Sequence, residues 1–229
     1  MKAYVLHSGG MDSTTCLYMA AKAFGAENIV SCSFDYGQRH SKEMEMANVI
    51  AKGLGCQRAI FDMPPPPKTM LTDTNQEVPD ISYAEIEGVS PTYVPFRNGQ
   101  LIALLAAQAQ GDKEAEAIYF GAHSEDAAGW AYPDCTPEFN GAMANAVYIG
   151  TYHQIRLLTP LQYDMKADVV RRGTELGVPW ELTWSCYKGE EHHCGTCPTC
   201  ISRREAFGLA GVKDPTVYQC DIDLVNVSP

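Results

Sequence analysis

Four cysteines and two histidines crowd into fifteen positions, "CYKGEEHHCGTCPTC" from Cys186 to Cys200. Cys194, Cys197 and Cys200 form a C-x2-C-x2-C run, and Cys186 joins them from across the intervening loop. Four thiolates at this spacing suit a tetrahedral Zn2+ ion. An iron–sulfur cluster also takes four cysteines, but the C-x2-C-x2-C-x3-C-P run is absent. His192 and His193 are expected to be solvated loop residues rather than ligands. An all-thiolate site has no open coordination position, so one structural zinc ion is expected, organising a segment with little apolar mass.

The second stretch is "SGGMDS", Ser8 to Ser13, near the other end of the chain. Two glycines let backbone N–H groups come close to an anion, and a helix starting there adds its partial positive charge. Ser8 and Ser13 can donate hydroxyls, and Asp12 is a candidate partner for Mg2+ bridging phosphate oxygens. No lysine follows in the GxxxxGK[ST] register, so this is not a Walker A loop.

These groups need a scaffold to hold them. "AYVLH" (3–7) reads as a buried strand running into the glycine turn, and "STTCLYMAAKAFG" as the helix leaving it. "NIVSCSFDYG" (28–37) reads as a second strand. "SKEMEMANVIAKGLG" reads as a helix with Met44, Ala47, Ile50, Ala51 and Leu54 on one face. "QRAIF" is a third strand, and "MPPPPKTMLTDTNQEVPD" (63–80) an irregular surface excursion. "NGQLIALLAAQAQ" reads as a deeply buried helix, "AIYFGAH" as a strand and "EFNGAMANAVYIG" as a helix. "QIRLLTPL" is a short last strand, followed by the amphipathic helix "MKADVVRRGTELG" and, after the cysteines, "CISRREAFGLAG". The alternation predicts an α/β fold with a parallel sheet covered by helices. The expected division is 1–180 as the phosphate-binding α/β domain and 181–229 as a zinc-binding C-terminal segment packed on it.

The composition limits the partners. The chain has 229 residues and a net charge of −11, more negative still with zinc on four thiolates. Binding to nucleic acid rests on Lys and Arg neutralising phosphates, and the scattered basic residues oppose it. No apolar run approaches the about 20 residues of a membrane span, and nothing at the N-terminus reads as a secretion signal. A soluble, cytoplasmic enzyme with small-molecule substrates is expected.

The SGGxDS string resembles the signature of the PP-loop ATP pyrophosphatases, which adenylate a substrate oxygen and release pyrophosphate. Their fold is a doubly wound parallel sheet of the adenine-nucleotide α-hydrolase-like kind. "FDYGQRH" (34–40), "VPFRNG" (94–99), "YPDCTPEF" (132–139) and "TWSCY" (183–187) are similar to segments of the 7-cyano-7-deazaguanine synthases. So are "TPLQYDMKADVVRRGTELGVP" and "ISRREAFGLAGVKDPTVY", in the same order along nearly the whole chain. The resemblance implies conversion of 7-carboxy-7-deazaguanine, ammonia and ATP into 7-cyano-7-deazaguanine, a step towards queuosine. It also implies a homodimer.

Carried over residue by residue, the resemblance assigns the pyrophosphate end of ATP to Ser8, Gly9, Gly10, Asp12 and Ser13. His7, Met11, Thr14, Thr15, Cys16 and Leu17 complete that run. Arg97 and Lys166 join Asp12 as candidates for stabilising the developing charge. Tyr36, Tyr132 and Phe139 offer stacking surfaces to a bicyclic base, and Asp134 or Glu138 offers acceptors for its N–H edge. The alternative for Glu138 is to cap the following helix. Cys32, Cys56, Cys135 and Cys220, like Cys16, lack zinc spacing and are expected to be buried structural thiols. The chain departs from the family where Trp130 replaces an aromatic partner and Thr136 an arginine. An amide-forming ligase stopping one step earlier therefore stays open, as do a tRNA-thiolating relative and a zinc-stapled module with a dead ATP loop.

Overall fold

The computed structural model describes residues 1–37, 42–69, 71–72, 88–188 and 191–220. Five strands form one parallel sheet: β1 (Lys2–Leu6), β2 (Ile29–Asp35), β3 (Gln57–Asp62), β4 (Ala115–Tyr119) and β5 (Arg156–Leu158). Their spatial order is β3-β2-β1-β4-β5. The chain winds outward from β1 to β3, then crosses back to lay β4 on the other side of β1. That reversal opens a crevice beyond the C-terminal ends of β1 and β4, where doubly wound sheets take their ligands.

Helices cover both faces. Alternation along β1 sends Ala3 and Val5 to one face and Leu6 to the other. Ala3 and Val5 pack with Leu17 of α1 (Met11–Phe24), Ile50 of α2 (Lys42–Leu54) and Val169 of α6 (Lys166–Leu176). Leu6 packs with Ile102 and Leu105 of α3 (Arg97–Gln110) and Val147 of α5 (Pro137–Gly150). On α2, Ala47, Ile50 and Ala51 are buried, while Met44 and Leu54 are only half covered. Helix α3 is one-sided rather than deeply buried throughout, since Leu104 remains 38% exposed. Strand β5 is three residues long, shorter than its apolar run predicts. Between β4 and α5 lies a one-turn helix, α4 (Ser124–Ala127). The excursion after β3 has neither strand nor helix over 63–69 and 71–72; its remainder lies outside the described residues, as do Gln38 to His40 of the "FDYGQRH" stretch.

The C-terminal segment is carried by α7 (Pro198–Ala210). Phe207 and Ala206 pack with Trp180 of the Trp180–Leu182 turn, Val170 of α6 and Met11 at the start of α1. Full burial of Phe207 stabilises this junction by about 2–3 kcal/mol. Arg203, 1% exposed, spends its guanidinium here: on Trp180 O at 2.8 Å, Thr183 Oγ1 at 2.7 Å and Asp214 Oδ1 at 3.3 Å. Burial alone would raise the Asp214 carboxyl, but Arg203 holds it below its usual range. Among the described residues no helix is long and apolar enough to cross a membrane.

Candidate functional site

β1 ends at Leu6, and the chain turns through Ser8–Gly10 into α1. Gly9 has φ +101°, and a Cβ there would collide with the Glu43 carbonyl of α2, so no other residue lets the turn pass this close. The turn is self-braced: Ser13 Oγ accepts from Ser8 N at 3.2 Å, and Ser8 Oγ accepts from Gly10 N at 3.3 Å. Beneath it the buried His7 ring bridges Ser31 Oγ of β2 (2.9 Å) and Thr14 Oγ1 of α1 (3.1 Å). Burial, then the nearby Arg58, lowers its pKa to about 3 and keeps the ring neutral. Helix α1 has no side-chain cap at Gly10, which leaves its first N–H groups for a ligand.

The turn opens into a cavity of about 560 Å³. Of the residues expected to hold ATP, His7, Ser8, Gly10, Met11, Asp12 and Ser13 line it. Gly9 supports the turn, while Thr14, Thr15, Cys16 and Leu17 are buried behind it. Arg97 and Lys166, far apart in sequence, both reach the cavity, as do Tyr36 and Tyr132.

Lys166, at the first turn of α6, places Nζ 2.6 Å from Asp12 Oδ2 and 3.1 Å from His123 Nε2. His123 follows β4, is 2% exposed, and has Nε2 3.2 Å from Asp126 Oδ2. Burial works against both charges of the Asp12–Lys166 pair. Lys166 and His123 nevertheless hold Asp12 below its usual range, and Asp12 and Asp126 hold Lys166 above its own. Asp12 Oδ1 is buried with no hydrogen-bond partner among the described residues. A cation-seeking carboxylate oxygen beside an uncapped helix terminus fits Mg2+ accompanying a triphosphate. Arg97 donates to Tyr36 Oη at 3.4 Å; burial opposes its charge, but Tyr36, Tyr187 and Asp134 more than offset that.

Asp134, Glu138 and Phe139 do not line the cavity. Asp134 Oδ2 accepts from Asn98 N at 3.0 Å and so braces the start of α3, just behind Arg97. Phe139 packs edge-on against Phe96, with ring centres 5.8 Å apart. The cap of α5 is Thr136, whose Oγ1 accepts from Phe139 N at 3.2 Å, and not Glu138. Trp130 is 65% exposed. Sequence reasoning missed His123 and Glu43. The position of His123 at the C-terminal end of a central strand was a usable signal. Glu43 had none: it is one glutamate in a helical first turn, brought to the cavity wall beside Ser8 and Gly10 only by the fold.

The sulfurs of Cys186, Cys194, Cys197 and Cys200 all lie within 4.8 Å of one another and are buried. Cys186 Sγ accepts from Lys188 N and Cys194 N, both at 3.3 Å. Cys194 Sγ accepts from Thr196 N at 3.4 Å and Cys197 N at 3.3 Å. Backbone donors aimed at sulfur favour thiolates, and buried thiolates so close together need a cation between them. The donor set is therefore compatible with a structural zinc. None of the four lines the cavity. His192 is exposed as expected, but His193 is not solvated: it is 4% exposed, lies 4.3 Å from the Trp184 ring and accepts from Ser185 N. Of the remaining thiols, Cys16, Cys32 and Cys135 are buried, whereas Cys56 is half-buried and Cys220 exposed.

The family model described as "Queuosine biosynthesis protein QueC" matches residues 2–211. A 7-cyano-7-deazaguanine synthase from Methanoculleus marisnigri is 44% identical over 226 residues, covering 95% of this chain and 99% of its own. The Thermoplasma volcanium protein of that name is 45% identical over 225 residues, covering 95% and 90%. The one from Brucella anthropi is 44% identical over 226 residues, covering 96% and 94%.

Proposed function

Since the chain belongs to the QueC family of queuosine biosynthesis proteins, we propose that it converts 7-carboxy-7-deazaguanine, ammonia and ATP into 7-cyano-7-deazaguanine. A carboxylate is a poor electrophile, and adenylation turns its oxygen into a leaving group. The substrate carboxylate attacks the α-phosphorus of ATP, and pyrophosphate departs. Ammonia adds to the acyl adenylate and, after losing a proton, expels AMP to give the amide. The amide oxygen then attacks the α-phosphorus of a second ATP, releasing pyrophosphate again; loss of two protons and AMP leaves the nitrile.

The chain's part is to position and to balance charge. The Ser8–Ser13 turn and the open terminus of α1 take the pyrophosphate end of ATP. Lys166, pinned by Asp12 and His123, and Arg97, pinned by Tyr36, face the charge that develops on the phosphoryl oxygens. Mg2+, when bound with ATP, would neutralise phosphate charge, with Asp12 Oδ1 as the protein oxygen left for it. Tyr36 and Tyr132 offer ring faces to the base, and Asp134 acts through its hold on α3. Residues 181–229 serve as a zinc-stapled segment carried on 1–180. A cytoplasmic homodimer belongs to the same reading.

The observation that carries this proposal is the convergence of the glycine turn, Lys166 and Arg97 on one cavity at the strand-order reversal. Incubation with 7-carboxy-7-deazaguanine, ammonium and MgATP should yield the nitrile by mass spectrometry. A product that stays one water heavier, the amide, would contradict it.

A further inference from the structure

Helix α7 turns a polar stripe towards the cavity. Thr199, Ser202 and Glu205 all line it, spaced three apart and so lying along one arc of the helix. The buried face of α7 is spent otherwise: Cys200 on the thiol cluster, Arg203 on the Trp180 turn, Ala206 and Phe207 on the apolar junction. Ser202 and Glu205 have no hydrogen-bond or ion-pair partner among the described residues. For Glu205 this is costly. It is half-buried, and burial together with the nearby Glu125 charge raises its pKa. A partly desolvated carboxylate with no donor is a group waiting for one.

Resting on the reaction proposed above, we infer that Ser202 and Glu205 read the hydrogen-bonding edge of the deazaguanine ring. That edge carries a carbonyl oxygen beside a ring N–H and an exocyclic amine. Glu205 accepts from the two neighbouring N–H groups, as a carboxylate suits a paired donor. Ser202 donates to the carbonyl oxygen. Three residues of helix separate them by about 4.5 Å of rise, on the scale of the span from the carbonyl oxygen to the exocyclic amine across that edge. The charge pattern agrees, because Glu205 would repel the substrate's own carboxylate and turn it towards Lys166 and Arg97, which line the same cavity. Neither Asp134 nor Glu138 can fill this role without leaving its present place, since neither reaches the cavity.

The test is steady-state kinetics of Glu205→Gln and Ser202→Ala, with zinc content and melting temperature confirming that each variant folds. Glu205→Gln should raise KM for 7-carboxy-7-deazaguanine about 100-fold while leaving KM for ATP and ammonium within about twofold. Ser202→Ala should raise it about tenfold. Should Glu205→Gln fail to fold, the intact enzyme still decides: wild type should reject a substrate analogue lacking the exocyclic amine by about 100-fold in kcat/KM. An unchanged KM for the base in a folded variant, equal use of the analogue, or a rise confined to ammonium would each overturn the inference. Failure of wild type to turn over 7-carboxy-7-deazaguanine at all would instead sink the reaction on which it rests.

Discussion

The glycine turn and the cysteine loop use the same local device to opposite ends. Each places a glycine at positive φ against a backbone carbonyl: Gly9 under Glu43 O, and Gly195 (φ +84°) under Cys220 O. Around Gly195 the polar atoms turn inward. Backbone N–H groups satisfy the sulfurs of Cys186 and Cys194, and His193 is closed between Trp184 and Tyr218. Around Gly9 they are left beside a cavity, with Asp12 Oδ1 lacking a hydrogen bond among the described residues and the α1 terminus without a side-chain cap. Closure marks a region that holds shape, and deliberate incompleteness marks one that waits for a ligand.

Breaking the closed region should cost most. Cys197→Ser leaves three thiolates and is expected to lose both the metal and soluble protein, read by zinc analysis and gel filtration, since the metal's binding energy is folding energy for such a segment. A soluble, active, zinc-free variant would erase the contrast. Breaking the open region should spare the fold. Asp12→Asn should reduce turnover about 10³-fold with about one zinc per chain retained, because it removes the charge that holds Lys166. Loss of zinc in that variant would show the two regions to be one unit.

The smallest effect concerns Glu43. Burial pushes its pKa up to about 7 from an ordinary 4.5, with Ser8 and Arg97 opposing and Asp12 reinforcing. A raised carboxyl is favoured neutral in the fold, so its contribution is full below about pH 4.5 and lost as pH rises through about 7. Glu43→Gln should therefore match wild type near pH 4 and exceed it by on the order of 2 kcal/mol at pH 8, measured by urea unfolding. Equal stability at both pH values would mean that Glu43 is solvated, and the open region less desolvated than its geometry implies.

What could be read from the sequence followed the range of the interaction. Ser8–Ser13 and the cysteine run are local strings whose spacing already constrains their geometry, and alternating strands and helices foretold the parallel sheet. Lys166 and Arg97 could be named from resemblance, but their meeting with Asp12 and Tyr36 is a product of sheet order. Arg203 reads as one basic residue on an amphipathic helix, and nothing in its neighbours announces that Trp180 O and Asp214 will bury it. His193 misleads for the same reason: its partners, Trp184 and Tyr218, approach from either side in sequence. The helix cap shows a finer failure, because Thr136 and Glu138 both suit the start of α5 and only the backbone decides between them.

One contact ties the two regions together. Trp184, beside the thiol cluster, donates its backbone N–H to Gly9 O at 2.9 Å. A chelating agent would thus have a route to the proposed nucleotide pocket that never enters it: withdrawing a zinc ion held by the four thiols should slacken the strap across the turn, and, on the function proposed above, ATP affinity should fade before the sheet itself melts.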